Sequence, residues 1–287
     1  MSGGPWPGAR RSVRGVEEAV ERPTWAPEGV RLDQPSTARI YDYLLGGSHN
    51  SAVDRHIARQ VIEAMPDAVD AARANRAFLS RAVRFLADAG VRQFLDLGSG
   101  IPTAGNVHEI AQSAAPDARV VYVDVDPVAV AHGRVLLAGN DRAAVVQADL
   151  REPERILDSR QAGRLLDLDA PVGLLMVAIL HVIPDADDPA RLVARFRDAV
   201  AVGSYLAISH LTADSRPKET ARVQEISRRT PTRLTMRSHE QISRFFAGFE
   251  LLDPGLVWVP EWRPDPGDEP DIHPERLSNY GGVARKN

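Results

Sequence analysis

Phe94-Leu95-Asp96-Leu97-Gly98-Ser99-Gly100-Ile101-Pro102-Thr103 is an apolar run that ends in Gly-x-Gly and opens directly into a helical pattern. Glycines at such a turn let the backbone fold back tightly and let a ligand come closer than a Cβ permits. In an open parallel sheet the turn lies at the carboxyl edge of the strands, where ligands bind. A plain strand-to-helix turn can carry the same two glycines, so the reading needs support from the rest of the chain.

Outward from this turn the pattern alternates. Short β-rich runs at 93–97, 119–123, 144–148, 172–179 and 205–209 are separated by helical patterns at 103–114, 127–138, 152–166 and 189–200. Such alternation predicts βαβ units, and hence an α/β fold with a parallel sheet covered on both faces. Asp126-Pro127 and Asp188-Pro189 mark two helix starts, each with a capping carboxylate before a proline. Upstream, helices are expected at 36–45 (capped by Ser36, stopped by Gly46-Gly47), around 53–62, and at 72–89. The first should present Ile40, Tyr41, Leu44 and Leu45 on one side. Downstream, helices at 217–229 and 238–246 precede a strand at 251–259, and 280–284 reads as one more edge strand. The expected organisation is a Gly/Pro-punctuated flexible arm at 1–32, an N-terminal helical lid at 33–71 and one sheet domain at 72–287.

Composition narrows the function classes. The chain has 287 residues, 35 Lys+Arg against 39 Asp+Glu, 44% apolar residues and no cysteine. It is long enough for a well-buried core and is globular in composition. Without cysteine there is no disulfide scaffold, thiolate zinc site, iron–sulfur cluster or cysteine nucleophile. The longest apolar run, Leu174 to Leu180, is far short of the roughly 20 residues of a membrane helix. Residues 1–30 hold no apolar stretch of a secretory signal, so a cytoplasmic protein is expected. A net charge of −4 argues against a protein that grips nucleic-acid backbone and favours a small-molecule substrate.

Carboxylates at successive strand ends point to a nucleoside. Asp124 closes the second strand and can accept hydrogen bonds from both ribose hydroxyls, while Asp126 takes the helix cap. Asp149 closes the third, where an adenine amino group could donate. The dinucleotide fingerprint Gly-x-Gly-x-x-Gly/Ala is broken at Thr103. Asp96, two residues before Gly98, would repel a pyrophosphate and attract an ammonium or sulfonium. These features favour S-adenosylmethionine over NAD or ATP. Ser99, Val125 and Leu150 stand beside these residues and are counted with the cofactor-binding set.

Asp96-Leu97-Gly98-Ser99-Gly100, Asp124 and Asp149 resemble the corresponding motifs of class I S-adenosylmethionine-dependent methyltransferases. More narrowly, 38–47, 73–79, 92–102, 122–127, 178–181, 203–206 and 282–286 resemble the actinobacterial family of predicted S-adenosyl methyltransferases once described as a domain of unknown function. The resemblance implies a Rossmann-like sheet of seven strands with the last antiparallel, and S-adenosylhomocysteine as the product.

Further candidates surround that core. Tyr41 or Tyr43 could meet a sulfonium by cation–π attraction. Arg76, next to Asn75, could hold the methionine carboxylate, and Asn106 could add a donor near the helix start, with His108 beside it. His181 follows the fourth strand at the carboxyl edge and is the candidate base, with His210 a weaker one after the fifth. His181, His210 and Asp214 lack metal-ligand spacing, so no metal is expected. The expected activity is methyl transfer to an O or N atom of a small molecule. The competing readings are a non-catalytic sensor of the adenosyl ligand and an NAD(P)-dependent oxidoreductase. The Asn/Asp-Pro-Pro-Tyr/Phe sequence of amino-nitrogen methylation is absent, and Leu180-His181-Val182-Ile183-Pro184 stands after strand four instead.

Overall fold

A computed structural model describes residues 23–102, 105–268 and 271–287. The strand segments are β1 (Gln93–Leu97), β2 (Arg119–Asp124), β3 (Ala143–Gln147), β4 (Gly173–Val177), β5 (Tyr205–Leu211), β6 (Glu250–Leu251), β7 (Val257–Trp258) and β8 (Asn279–Arg285). They form one sheet in the order β3-β2-β1-β4-β5-β8-β6, with β7 also paired to β8. β1 to β5 run parallel and β8 is antiparallel to its neighbours. The closing strand is therefore antiparallel, as expected, but lies inside the sheet rather than at its edge. The expected strand at 251–259 is two short pieces on either side of Pro254, which has no N–H to give a ladder.

Alternation along the strands sends successive side chains to opposite faces and builds two apolar layers. Leu95, Leu97, Val121, Val123, Leu174 and Met176 face Phe196 of helix α8 (Pro189–Ala199). Phe94, Val120, Tyr122 and Leu175 face Phe78 and Leu86 of helix α3 (Ala68–Asp88). β1 sits between β2 and β4, so the chain leaves it in opposite directions and a crevice opens above its carboxyl end.

Helices α1 (Thr37–Leu44) and α2 (Ala52–Ala64) flank that crevice. The residues that α1 buries are polar, Arg39 and Asp42. Arg39 donates to Gln34 O at 2.5 Å and its Nε lies 3.0 Å from buried Asp54, without hydrogen-bond alignment. Asp42 accepts from His49 N at 2.9 Å and Asn50 Nδ2 at 2.7 Å. The apolar side chains Ile40, Tyr41 and Leu44 instead line the crevice, which explains why an amphipathic helix keeps its apolar face half-open. Ser36 does not cap α1 with its side chain; its hydroxyl donates to Asp126 and its N–H to Asp54 Oδ1 at 2.9 Å.

Two helix readings shift for local reasons. The run at 152–166 breaks into α6 (Pro153–Leu157) and α7 (Arg160–Leu165), because Ser159 Oγ caps a new helix by accepting Ala162 N–H at 3.2 Å. The helix expected from 103 begins at Val107 as α4 (Val107–Ala114), where Glu109 accepts Asn106 N–H at 2.7 Å. Thr103 and residues 1–22 of the expected arm lie outside the described residues. Residues 23–32 are not helical, yet Trp25, Val30 and Leu32 pack against Ile101, Val128 and Ala129. Among the described residues no helix is long and apolar enough to cross a membrane.

Candidate active site

The glycine turn is built by a steric demand. Gly98 has φ +79°, and a Cβ there would sit 2.4 Å from Ile179 Cγ1. With that space free, Gly98 and Ser99 fold back and donate their N–H groups to Val123 O at 2.8 and 3.0 Å. Gly100 N–H then reaches Asp124 Oδ2 at 2.7 Å, and Asp126 N–H reaches Oδ1 at 2.8 Å. Asp126 caps helix α5 (Pro127–Leu136) through Val128 N–H at 2.7 Å, as expected of it. Burial pushes the Asp124 carboxyl up to about 6, against the pull of those amides.

Asp96 lies beside it with no donor of its own among the described residues. Burial raises its carboxyl to about 7; Arg76 opposes the rise and Asp124 adds to it. Arg76 donates to Gly105 O at 2.8 Å. Arg76, Asp96, Ser99, Gly100 and Asn106 meet in a narrow cleft of about 20 Å³. The Asn106 amide, however, is taken by Glu109 at 3.1 Å. Two buried carboxyls with little compensating charge are a place for a cation.

The cleft adjoins a cavity of about 540 Å³, within the roughly 300–1,000 Å³ of small-molecule sites. Asp96, Gly98, Ser99, Gly100, Asp124, Val125, Arg76, Tyr41, Asn75 and His181 all line it. Tyr43, Asp149 and Leu150 do not. Asp149 is gripped by Arg151 at 2.6 Å, which holds its carboxyl below the usual range, and Arg151 also reaches Asp187 at 3.1 Å. His108 is bound to the Tyr122 hydroxyl at 2.7 Å and burial lowers it.

Beyond β4 the polar groups are mostly committed to one another. Asn75 Nδ2 donates to the Tyr41 hydroxyl at 2.9 Å, and Asn75 Oδ1 accepts from Ser209 Oγ and, at 3.3 Å, from Asn279 Nδ2. His210 is enclosed: Nδ1 meets Leu211 O at 2.7 Å and Nε2 meets Arg237 at 2.9 Å. An arginine donor on Nε2 requires a neutral ring with its proton on Nδ1. Burial, then His181 and Arg237, hold His210 far below the ordinary imidazole value. Arg237 is the residue that sequence reasoning missed. Buried itself, it also donates to Leu180 O at 2.9 Å, Ile183 O at 2.8 Å and Asp185 Oδ1 at 2.7 Å, and so clamps the loop that carries His181.

His181 sits in the 3-10 turn Leu180–Val182. Burial and Arg237 press it down to about 3, so its ring is neutral at physiological pH. Nδ1 is enclosed without a partner, and among the described residues no side chain bonds Nε2, which leaves Nε2 as the nitrogen that can serve the cavity.

A family model described as S-adenosyl methyltransferase matches residues 23–287. The crystal structure of a candidate methyltransferase from Thermobifida fusca YX is 42% identical, with a TM-score of 0.87 over 92% of this chain and 100% of that one. A DUF574-family protein from Streptomyces avermitilis is also 42% identical, with a TM-score of 0.86 over 90% of this chain and 100% of that one. No curated protein matches the chain.

Proposed function

The chain belongs to the S-adenosyl methyltransferase family, whose cofactor is S-adenosylmethionine, and on that premise we propose that it methylates an O or N atom of a small molecule. The observation that carries this reading is the cavity at the carboxyl edge of β1 and β2, where the Gly98–Gly100 turn, Asp96 and Asp124 converge. Two features favour the cofactor: among the described residues Asp96 has no hydrogen-bond donor and only Arg76 as a compensating charge, and Asp124 has lone pairs left for ribose hydroxyls after two backbone bonds. S-adenosylmethionine supplies a methyl group on a positively charged sulfur that needs no further activation.

The chain's own task is then to align the acceptor and exclude water. In this reading Asp124 holds the ribose, Asp96 and Arg76 the methionine portion, and Ser99 and Gly100 the close-approach turn. Asp149 can reach the adenine amine once Arg151 yields an oxygen, with Val125 and Leu150 beside it. Asn106 helps by shaping the cleft, since its amide is already used. His181 Nε2, neutral, accepts a hydrogen bond from the acceptor's O–H or N–H and orients it, and the proton lost as the new bond to carbon forms passes out to solvent. The test is calorimetry with S-adenosylmethionine, followed by incubation with labelled cofactor and a cell extract split into small molecules, RNA and protein. Label in the small-molecule fraction is expected; label confined to RNA or protein overturns the acceptor assignment, and binding without any labelled product overturns the enzyme.

A further inference from the structure

The cavity has two ends of different chemistry. Charged side chains line it only from 31–39, from Arg76 and from the ends of β1 and β2, among the described residues. The lining from α2, from helix α9 (Pro217–Ser227), from the following 231–234 segment and from the ends of β4, β5 and β8 contains no charged group at neutral pH. Strand order keeps the ends apart: β2 and β1 underlie the charged end, while β4, β5 and β8 underlie the other. Met65, Val223, Val61 and Leu234 join α2, α9 and the segment beyond it into a small apolar cluster at this far end. The polar side chains there are Asn75, Tyr41, Thr232 and Asn279; Asn75 bonds to Tyr41 and to Asn279, and Asn279 Oδ1 is enclosed without a partner. His181 Nε2 remains available at the boundary.

We propose that this apolar end is the acceptor site, and that it takes a neutral, largely apolar molecule bearing one O–H or N–H directed at His181. An ionised acceptor would leave water for a wall with no countercharge, which opposes its binding. A neutral ring or chain instead gains by covering apolar surface, and its single donor finds the imidazole nitrogen. The inference rests on the methyltransferase reading, because the cofactor fills the charged end.

The test separates the two. Wild-type protein is first saturated with S-adenosylhomocysteine; failure of that binding defeats the methyltransferase reading itself. The loaded protein is then titrated with 2-naphthol, 2-naphthoate and protonated 2-naphthylmethylamine. 2-Naphthol should bind at least about tenfold more tightly than either ion. Leu234→Lys and Val61→Lys, both at half-buried positions, should each weaken 2-naphthol about tenfold while S-adenosylhomocysteine affinity, the check on folding, stays constant. 2-Naphthoate should gain on Leu234→Lys. Lack of 2-naphthol binding, equal binding of an ion, displacement of S-adenosylhomocysteine, or indifference to both lysine variants overturns the proposal.

Discussion

The carboxyl ends of β1 and β4 lie side by side in the sheet yet are finished in opposite ways. At β1, the backbone is bent by glycines, and Asp96 of that strand and Asp124 of neighbouring β2 are buried with their charge largely unanswered. After β4, the buried cation Arg237 spends its donors on Leu180, Ile183, Asp185 and His210, and the loop is held by the protein itself. In the proposed reading the first region is completed by a ligand and the second holds a shape for one. A self-satisfied polar network resists loss of any member, whereas an uncompensated site gains from whatever neutralises it.

The sharpest way to break this contrast is Gly98→Ala. The new methyl would collide with Ile179, which belongs to the β4 loop, and alanine tolerates φ +79° poorly. A loss of about 3 kcal/mol or more in stability is expected by thermal or denaturant unfolding, together with no measurable S-adenosylmethionine binding. Next is Arg237→Ala, which strands the carbonyls of Leu180 and Ile183 and frees the His181 loop. It should cost about 2–3 kcal/mol in denaturant unfolding, with little change in cofactor affinity. Equal losses of stability and affinity would mean that the two strand ends are not separable. Asp124→Ala comes third: S-adenosylmethionine affinity should fall by about 1–3 kcal/mol by calorimetry, the scale of lost charge-assisted hydrogen bonds.

The same contrast explains what was legible in the sequence. Gly98, Gly100 and Asp124 could be read because a turn that approaches a ligand demands particular residue types at fixed distances from a strand end. The parallel strands could be read from apolar runs of the right length. Arg237 could not, since it lies between elements and its partners are distant in sequence: backbone carbonyls at 180 and 183 and a histidine at 210. Tyr41 was a ligand-facing candidate from the sequence and does line the cavity, but periodicity alone could not decide it, as an apolar stripe has the same period whether it faces a core or a void. Some signals were present but outweighed. Asn106-x-x-Glu109 has the form of a capping box, though its first residue lies outside the commonest Ser/Thr form. Ser159 interrupts a run that otherwise looks like one helix.

The smallest expected effect probes the charge that β1 leaves unanswered. In the ligand-free protein Asp96 is pushed up to about 7, well above the ordinary carboxyl value, so near neutrality it is partly protonated. With the ammonium of S-adenosylmethionine on Asp96, as proposed, the ionised form is favoured and binding expels the remaining proton. Affinity should rise as pH climbs through about 7 and level off above it. The gain between roughly pH 6 and pH 8 should be about tenfold, one pKa unit being worth about 1.4 kcal/mol. Proton release should also show calorimetrically as a dependence of the binding enthalpy on the buffer's ionisation heat. Asp96→Asn removes the titrating group while keeping the shape, so it should bind more weakly at pH 8 and lose most of the pH dependence. If the wild-type affinity is flat across this range, or Asp96→Asn retains the slope, then Asp96 does not receive the cation, and Asp124, raised only to about 6, becomes the group to examine.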